Sequence, residues 1–239
     1  MSASDTLDFS RPLTTVDIVI FTVKDDRLHV LLVQRPNDAR ESFPGQWALP
    51  GGFVDTDRDN TLKACALRKL QEKTGINAPY LEQLGSWGGA TRDPRGWSAT
   101  HVYYALLPHE QVRLQRGANT REIGWFPITE QGVDKELAFD HREILGAAIE
   151  RLRSKAEYTS LPAYLLPEEF TLSELQHAYE VVLDRPVKKS PFRTRILSVD
   201  LVEESGNMRT GVSRPAVLYR LKSSGTLTIF PRTFSPRSD

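Results

Sequence analysis

The sequence predicts an α/β chain with two unlike parts, a sheet-containing N-terminal region and a C-terminal winged helix-turn-helix. Three observations predict it. Leu49-Pro50-Gly51-Gly52-Phe53-Val54-Asp55, followed by the run Thr61 to Thr74 and by Gly75, reads as strand, glycine loop, helix and glycine stop. The last third reads as helix, turn, basic helix and basic hairpin. Charge also divides the chain. The 31 Lys and Arg balance the 31 Asp and Glu, yet from Arg185 onward eleven basic residues stand against four acidic ones, a net +7. A basic segment on a neutral chain suggests a polyanionic partner, and a basic tail without a partner is the plain alternative.

Val16 to Thr22 alternates with β-branched residues and predicts a strand. Asp25-Asp26 makes a turn, and Leu28 to Gln34 returns as the second strand of a hairpin that Arg35-Pro36 ends. Phe43 to Pro50 then enters the glycine loop, where two adjacent glycines permit positive φ and a close backbone approach to a ligand. Asn60, or Asp59, caps the following helix. Leu62, Cys65, Ala66 and Leu70 give that helix one buried face, while Arg68 and Glu72, four apart, can pair along it. Tyr80 to Trp87 and Ser98 to Leu107 are expected strands, joined through Thr91-Arg92-Asp93-Pro94-Arg95-Gly96-Trp97. Two guanidiniums in that segment suit bidentate phosphate recognition, and Trp97 suits stacking on a base; a plain turn with solvated arginines is the other reading. Glu122 to Pro127 is a short strand. Leu137 to His141 opens a helix reaching about Lys155, with His141 read as a helix-start residue rather than a base. Tyr158 to Pro167 carries two prolines and reads as a link, which divides the chain into 1–157 and 158–239.

In the C-terminal part Thr171 caps a helix, Leu172 to Leu183, with Glu174 at capping-box spacing. Leu172, Leu175, Ala178, Tyr179 and Val182 form its apolar stripe. After Asp184-Arg185-Pro186, Ser190-Pro191 is expected to start a second helix, with Phe192, Ile196, Leu197 and Val199 turned inward. Two strands with a turn at Ser205-Gly206-Asn207 follow. A recognition helix sets its N-terminal residues against base edges. Lys188, Lys189, Ser190, Arg193, Thr194 and Arg195 cluster at that end, and Arg209 and Arg214 would sit on the wing. A winged domain that contacts protein instead is the alternative.

No run of about 18 apolar residues marks a membrane span. The N-terminus lacks an apolar signal core, the single Cys65 permits no internal disulfide, and a reducing cytoplasm is the expected compartment. No Cys/His cluster suggests a metal site.

Gly51-Gly52-Phe53-Val54 followed by Arg68-Lys69-Leu70-Gln71-Glu72-Lys73-Thr74-Gly75-Ile76 resembles a Nudix box. The resemblance implies an α/β/α sandwich with a mixed sheet. Hydrolysis of a diphosphate by this family needs magnesium held by carboxylates. Here the first glutamate position falls on Asn60, and Lys69 and Lys73 replace two of the three helix glutamates, leaving Glu72. Two ammonium groups repel a cation, so the fold and cleft are expected to survive without catalytic residues and without a metal. The lysines are either ordinary solvated residues or positive charge turned to the ligand's phosphates. The Arg-Asp-Pro-Arg-Gly segment resembles one in ADP-ribose-processing Nudix proteins. With Phe170-Thr171-Leu172 and Ser213-Arg214-Pro215-Ala216, the whole layout resembles the Nudix-related transcriptional regulators of NAD metabolism. That family implies a homodimeric repressor on double-stranded DNA with a palindromic operator. ADP-ribose or a related nucleotide would be its effector, with no cofactor required. The expected ligand contacts are Arg35, Trp47, Gly51, Gly52, Phe53, Arg68, Lys69, Glu72, Lys73, Arg92, Arg95 and Trp97. A hydrolase of ADP-ribose or another nucleoside diphosphate derivative, with an accessory domain, is the competing reading.

Overall fold

The computed structural model describes residues 11–78, 80–116, 120–210, 215–223 and 225–230. Seven strands form one mixed sheet. β1 (Leu13–Lys24) lies at its centre, antiparallel to β2 (Arg27–Gln34) and parallel to β6 (Gly96–Leu106). β3 (Trp47–Ala48) and β7 (Glu122–Pro127) pair with β2, and β5 (Tyr80–Asp93) pairs with β6. The glycine strand β4 (Gly51–Phe53) pairs with the first half of β1, setting Gly51 opposite Asp17 and Gly52 opposite Val16.

Side chains alternate across a strand, so one sheet feeds two cores. Ile18 and Ile20 of β1, Leu31 of β2 and Tyr103 and Ala105 of β6 pack with Cys65, Ala66 and Leu70 of α1 (Leu62–Thr74). Val19, Phe21, Val30, Leu32, Tyr104 and Leu106 face the other way, onto Ile144, Leu145, Ala148 and Leu152 of α2 (His141–Ala156). Each fully buried Leu or Ile contributes about 1.5–3 kcal/mol, which fixes the register. The result is the expected α/β/α sandwich.

The C-terminal part has its own core. The stripe of α3 (Leu172–Leu183) supplies Leu172, Leu175 and Tyr179, and α4 (Lys189–Ser198) supplies Phe192 and Ile196. Leu201 and Val202 at the start of β8 (Val202–Arg209) and Phe230 complete it. β9 (Ala216–Leu221) pairs antiparallel with β8 to form the wing. Both halves of the Thr171–Glu174 capping box are formed.

Several local expectations change. Thr61 caps α1, its Oγ1 accepting from the Ala64 amide at 3.0 Å, because the Asp59 carboxylate is taken by Arg68. α4 begins at Lys189, with Lys188 at the N-cap position and no side-chain capping bond, so Ser190 and Pro191 lie inside its first turn. Leu197 points outward, 52 % exposed, since Phe192 and Ile196 already fill the inward face. Ser205-Gly206-Asn207 is a register shift within β8 rather than a turn. The wing tip, with Arg214, lies outside the described residues. The stretch read as a link folds into a buried 3-10 turn, Leu161–Leu165: Leu161, Tyr164 and Leu165 join the α2 core and Ala163 the C-terminal one.

Candidate ligand pocket and nucleic-acid interface

β1, β4, the outer face of α1 and the start of α2 surround a cleft of 710 Å³, within the range of small-molecule and cofactor sites. Its glycines are dictated by contact. A β-carbon on Gly51 would stand 2.1 Å from Oδ1 of Asp17 and 2.5 Å from the Val16 carbonyl, so only hydrogen fits there. Gly52 has φ +147°, and Lys69 Nζ lies 3.1 Å from where its β-carbon would sit.

The charges of the cleft are largely tied to one another. Arg68 holds Asp59 through two bonds, Nε to Oδ1 at 2.7 Å and NH2 to Oδ2 at 2.5 Å, and reaches Glu72 at 3.0 Å. The Arg68 hydrogen bonds hold the Asp59 carboxyl far below the usual carboxylate range. Burial, together with the neighbouring Asp59, pushes the Cys65 thiol up to about 11, which leaves it inert as a nucleophile at neutral pH. Beneath the glycine strand, Asp17 Oδ2 accepts from Thr100 Oγ1 at 2.7 Å and Arg92 NH2 at 3.2 Å, and it faces His141 Nε2 at 3.5 Å. Burial raises the Asp17 pKa, but His141, Thr100 and Arg92 outweigh it and the net shift is downward. His141 Nδ1 accepts from the Leu49 amide at 3.0 Å, which places the ring proton on Nε2. Arg92 also holds Asp140 at 2.8 Å, Arg95 holds Asp93 at 2.7 Å and Arg35 holds Glu41 at 2.8 Å. Arg35 and Arg92 both lie over the Phe139 ring, at 5.1 and 5.4 Å, and Arg95 over Phe53 at 5.2 Å.

The two lysines stand apart from these pairs. Lys73 Nζ donates to Thr120 Oγ1 at 2.8 Å, and burial lowers its pKa. Lys69 lines the cleft with no hydrogen bond or ion pair among the described residues. Glu72 is the only acidic residue on α1 and is engaged by Arg68. Among the described residues no group of three His, Cys, Asp or Glu converges on a metal position. This donor set does not fit a carboxylate-held magnesium ion.

The second candidate surface is the N-terminal end of α4. Lys188, Lys189, Ser190, Arg193 and Thr194 are all exposed. Among the described residues the three cations there form no ion pair, and Thr194 bonds only its own helix, to the Ser190 carbonyl at 3.1 Å.

Sequence and structure comparisons agree on this two-part layout. A NUDIX domain profile matches residues 12–147, and the profile of the NrtR DNA-binding winged helix domain matches 162–221. The ADPR responsive transcriptional repressor NtrR of Acinetobacter baylyi is 45% identical over 225 residues, covering 94% of this chain and 88% of its own. The chain belongs to the NrtR family. Shewanella oneidensis NrtR, crystallised with a 27mer DNA, superposes with a TM-score of 0.79 at 44% identity, covering 87% of this chain and 93% of its own. The NUDIX domain of the same protein, crystallised with ADP ribose, matches with a TM-score of 0.56 at 43% identity, over 63% of this chain and 94% of that domain.

In this NrtR-family chain the structure brings Arg35, Gly51, Gly52, Phe53, Arg68, Lys69, Glu72, Lys73, Arg92 and Arg95 to one cleft. Trp47 and Trp97 are not there. Trp47 packs edge-on against Phe126, ring centroids 4.5 Å apart, as part of the α2 core. Trp97 lies beyond the Asp93–Gly96 turn, 53 % exposed. Of the expected DNA contacts, Arg195 turns back to the Glu157 carbonyl at 3.2 Å and over the Phe230 ring at 4.8 Å. Arg209 pairs with Glu174 on α3. Sequence reasoning missed Asp17, Asp93, Phe139 and the inward role of His141. A charged residue inside Val16-Asp17-Ile18-Val19 was a usable signal, because a lone carboxylate in an apolar strand needs buried partners.

Proposed function

We propose that this protein is a DNA-binding transcriptional repressor of NAD-metabolism genes that binds ADP-ribose, or a related nucleotide, in its Nudix cleft and then leaves its DNA. The observation that carries the reading is the pairing on one chain of a cation-lined cleft with an unpaired cationic helix end in a winged helix domain. The relatives described above support each half by name.

The cleft acts as a sensor without hydrolysis. Lys69 and Lys73 occupy the α1 face where a metal would need carboxylates, and Glu72 is neutralised by Arg68. Diphosphate oxygens would be met by Lys69, Lys73 and the arginines, with Phe53 and the glycine strand as further contacts. Residues 1–157 form the sensing unit and 158–239 the DNA-binding unit. Lys188, Lys189, Ser190, Arg193 and Thr194 would enter the major groove, and two copies related by a two-fold axis would read a palindromic operator. No helix among the described residues is long and apolar enough to cross a membrane; with the family's role, this supports a cytoplasmic place of work. Ligand binding must favour the arrangement that fits DNA poorly, since a ligand shifts an equilibrium only through differential affinity.

The test is fluorescence anisotropy of the purified protein on labelled duplex from upstream of its own gene, at fixed salt, with and without ADP-ribose in chelator. Binding that ADP-ribose weakens is expected. AMP release from ADP-ribose with magnesium would instead restore the hydrolase reading.

A further inference from the structure

The two sites are joined by α2. Its 16 residues span about 24 Å. The near end is built into the cleft: Phe139 and His141 line it, and Asp140, the N-cap residue, takes Arg92 at 2.8 Å. Phe139 holds φ +56°, a strained value for a bulky side chain, and lies under the Arg35 and Arg92 guanidiniums. Asp140 Oδ1 is buried and has no hydrogen-bond partner among the described residues, so Arg92 is what keeps this carboxylate satisfied. The far end is built into the DNA-binding domain. Arg153 donates to the Val182 carbonyl at 3.3 Å and pairs with Asp184 at 3.1 Å, at the C-terminus of α3. Glu157 caps α2 and takes Arg185 at 2.7 and 2.9 Å, and its carbonyl accepts from Arg195 of α4 at 3.2 Å.

We propose that α2 is the strut that carries occupancy of the cleft to the DNA-binding domain. A diphosphate-bearing ligand draws Arg92 away from Asp140, and the displaced start of α2 shifts the Arg153 and Glu157 contacts that hold α3 and α4. The physical drive is the partly buried Asp140 carboxylate, whose Oδ1 is shielded from water with no partner of its own among the described residues. Once Arg92 turns to a phosphate, Asp140 loses its cation and is stable only if the start of α2 moves toward water. A continuous helix passes that movement to its other end, where side-chain ion pairs and a main-chain bond register it. The inference rests on the sensor reading above and adds the route.

The experiment measures DNA affinity by anisotropy with and without saturating ADP-ribose, and ADP-ribose affinity by calorimetry without DNA. It uses the full chain, the double variant Arg153→Gln/Glu157→Gln, and Asp140→Asn. Wild type is expected to lose about tenfold or more in DNA affinity with ADP-ribose, in the usual range of allosteric coupling. The double variant should bind ADP-ribose within about twofold of wild type and DNA well, while the ADP-ribose effect on DNA shrinks to about threefold or less. Asp140→Asn should bind ADP-ribose more tightly, because Arg92 is then held by Asp17 alone, and release DNA less. A double variant that responds like wild type overturns the strut and leaves the sensor intact. A wild type that ignores ADP-ribose overturns both. If the double variant does not fold, Asp140→Asn decides: unchanged ADP-ribose affinity and unchanged release overturn the proposal.

Discussion

Arg68, Arg92 and Arg95 in the cleft each already hold a carboxylate, at 2.5, 2.8 and 2.7 Å, whereas Lys188, Lys189 and Arg193 at the start of α4 hold none among the described residues. The same residue types therefore do different work. Tied guanidiniums have fixed orientations before any ligand arrives, so less ordering is lost on binding, and part of the ligand's gain is spent in breaking existing pairs. Free, solvated cations project a field that any phosphate backbone feels and that salt screens. The first arrangement suits recognition of one small molecule, and the second suits a search along a polyanion.

The comparison breaks most visibly at Arg92. Arg92→Ala leaves Asp17 and Asp140 without their cation in a side-chain environment only 8 % and 20 % exposed. It is expected to cost about 3–5 kcal/mol by urea unfolding; a cost under about 1 kcal/mol would mean that the cleft charges are not held as described. Next comes the pair that stands outside the network. Lys69→Glu/Lys73→Glu should weaken ADP-ribose in chelator by about a hundredfold, two charge-assisted bonds being lost. Calorimetry showing unchanged affinity would return both lysines to ordinary solvated residues.

On the other surface, Lys188→Ala, Lys189→Ala or Arg193→Ala should each weaken DNA about tenfold and reduce the salt slope by about one. ADP-ribose affinity should change far less over the same salt range, and equal salt slopes for the two ligands would erase the contrast. Thr171→Ala removes the capping bond to the Glu174 amide at 3.1 Å and should cost about 1 kcal/mol of stability, lowering the thermal midpoint. The smallest effect is that of pH near neutrality. Asp17, Asp59 and Asp93 have folded-state pKa values below the ordinary 3.8, so their stabilisation is complete above that value and is lost as pH falls through the depressed ones. Unfolding midpoints should stay flat from these groups between about pH 5 and 8 and drop in acid.

The elements were legible where a pattern has one physical solution. The stripe Leu172, Leu175, Ala178, Tyr179 and Val182 is the buried face of α3 residue for residue, and Gly75 ends α1 in the left-handed conformation at φ +74°. Local spacing served less well where two side chains compete for one job. Asp59, Asn60 and Thr61 are all good caps, and Thr61 took the position because Arg68, nine residues on, claims Asp59. The aromatics failed for a similar reason. Trp97 was expected to stack on a base and Trp47 to touch the ligand, but Phe126 holds Trp47 partly buried against the α2 core and the Asp93–Gly96 turn leaves Trp97 53 % exposed.

By itself the sequence determined the two-part order, the glycine loop ahead of an amphipathic helix, the single acidic residue on that helix and the concentration of positive charge at the start of α4. These are set by residue identity and short-range periodicity, which a linear chain displays openly. Only the tertiary structure decided which charges are already spent. Asp17 meets Arg92 across 75 residues and His141 lies 92 residues from the Leu49 amide it accepts. Arg209, basic in the sequence, pairs with Glu174 in the fold, and Arg195 turns back to the main-chain carbonyl of Glu157. A charge is free or bound according to what folding brings within about 4 Å of it, and that distance is not written in the order of residues.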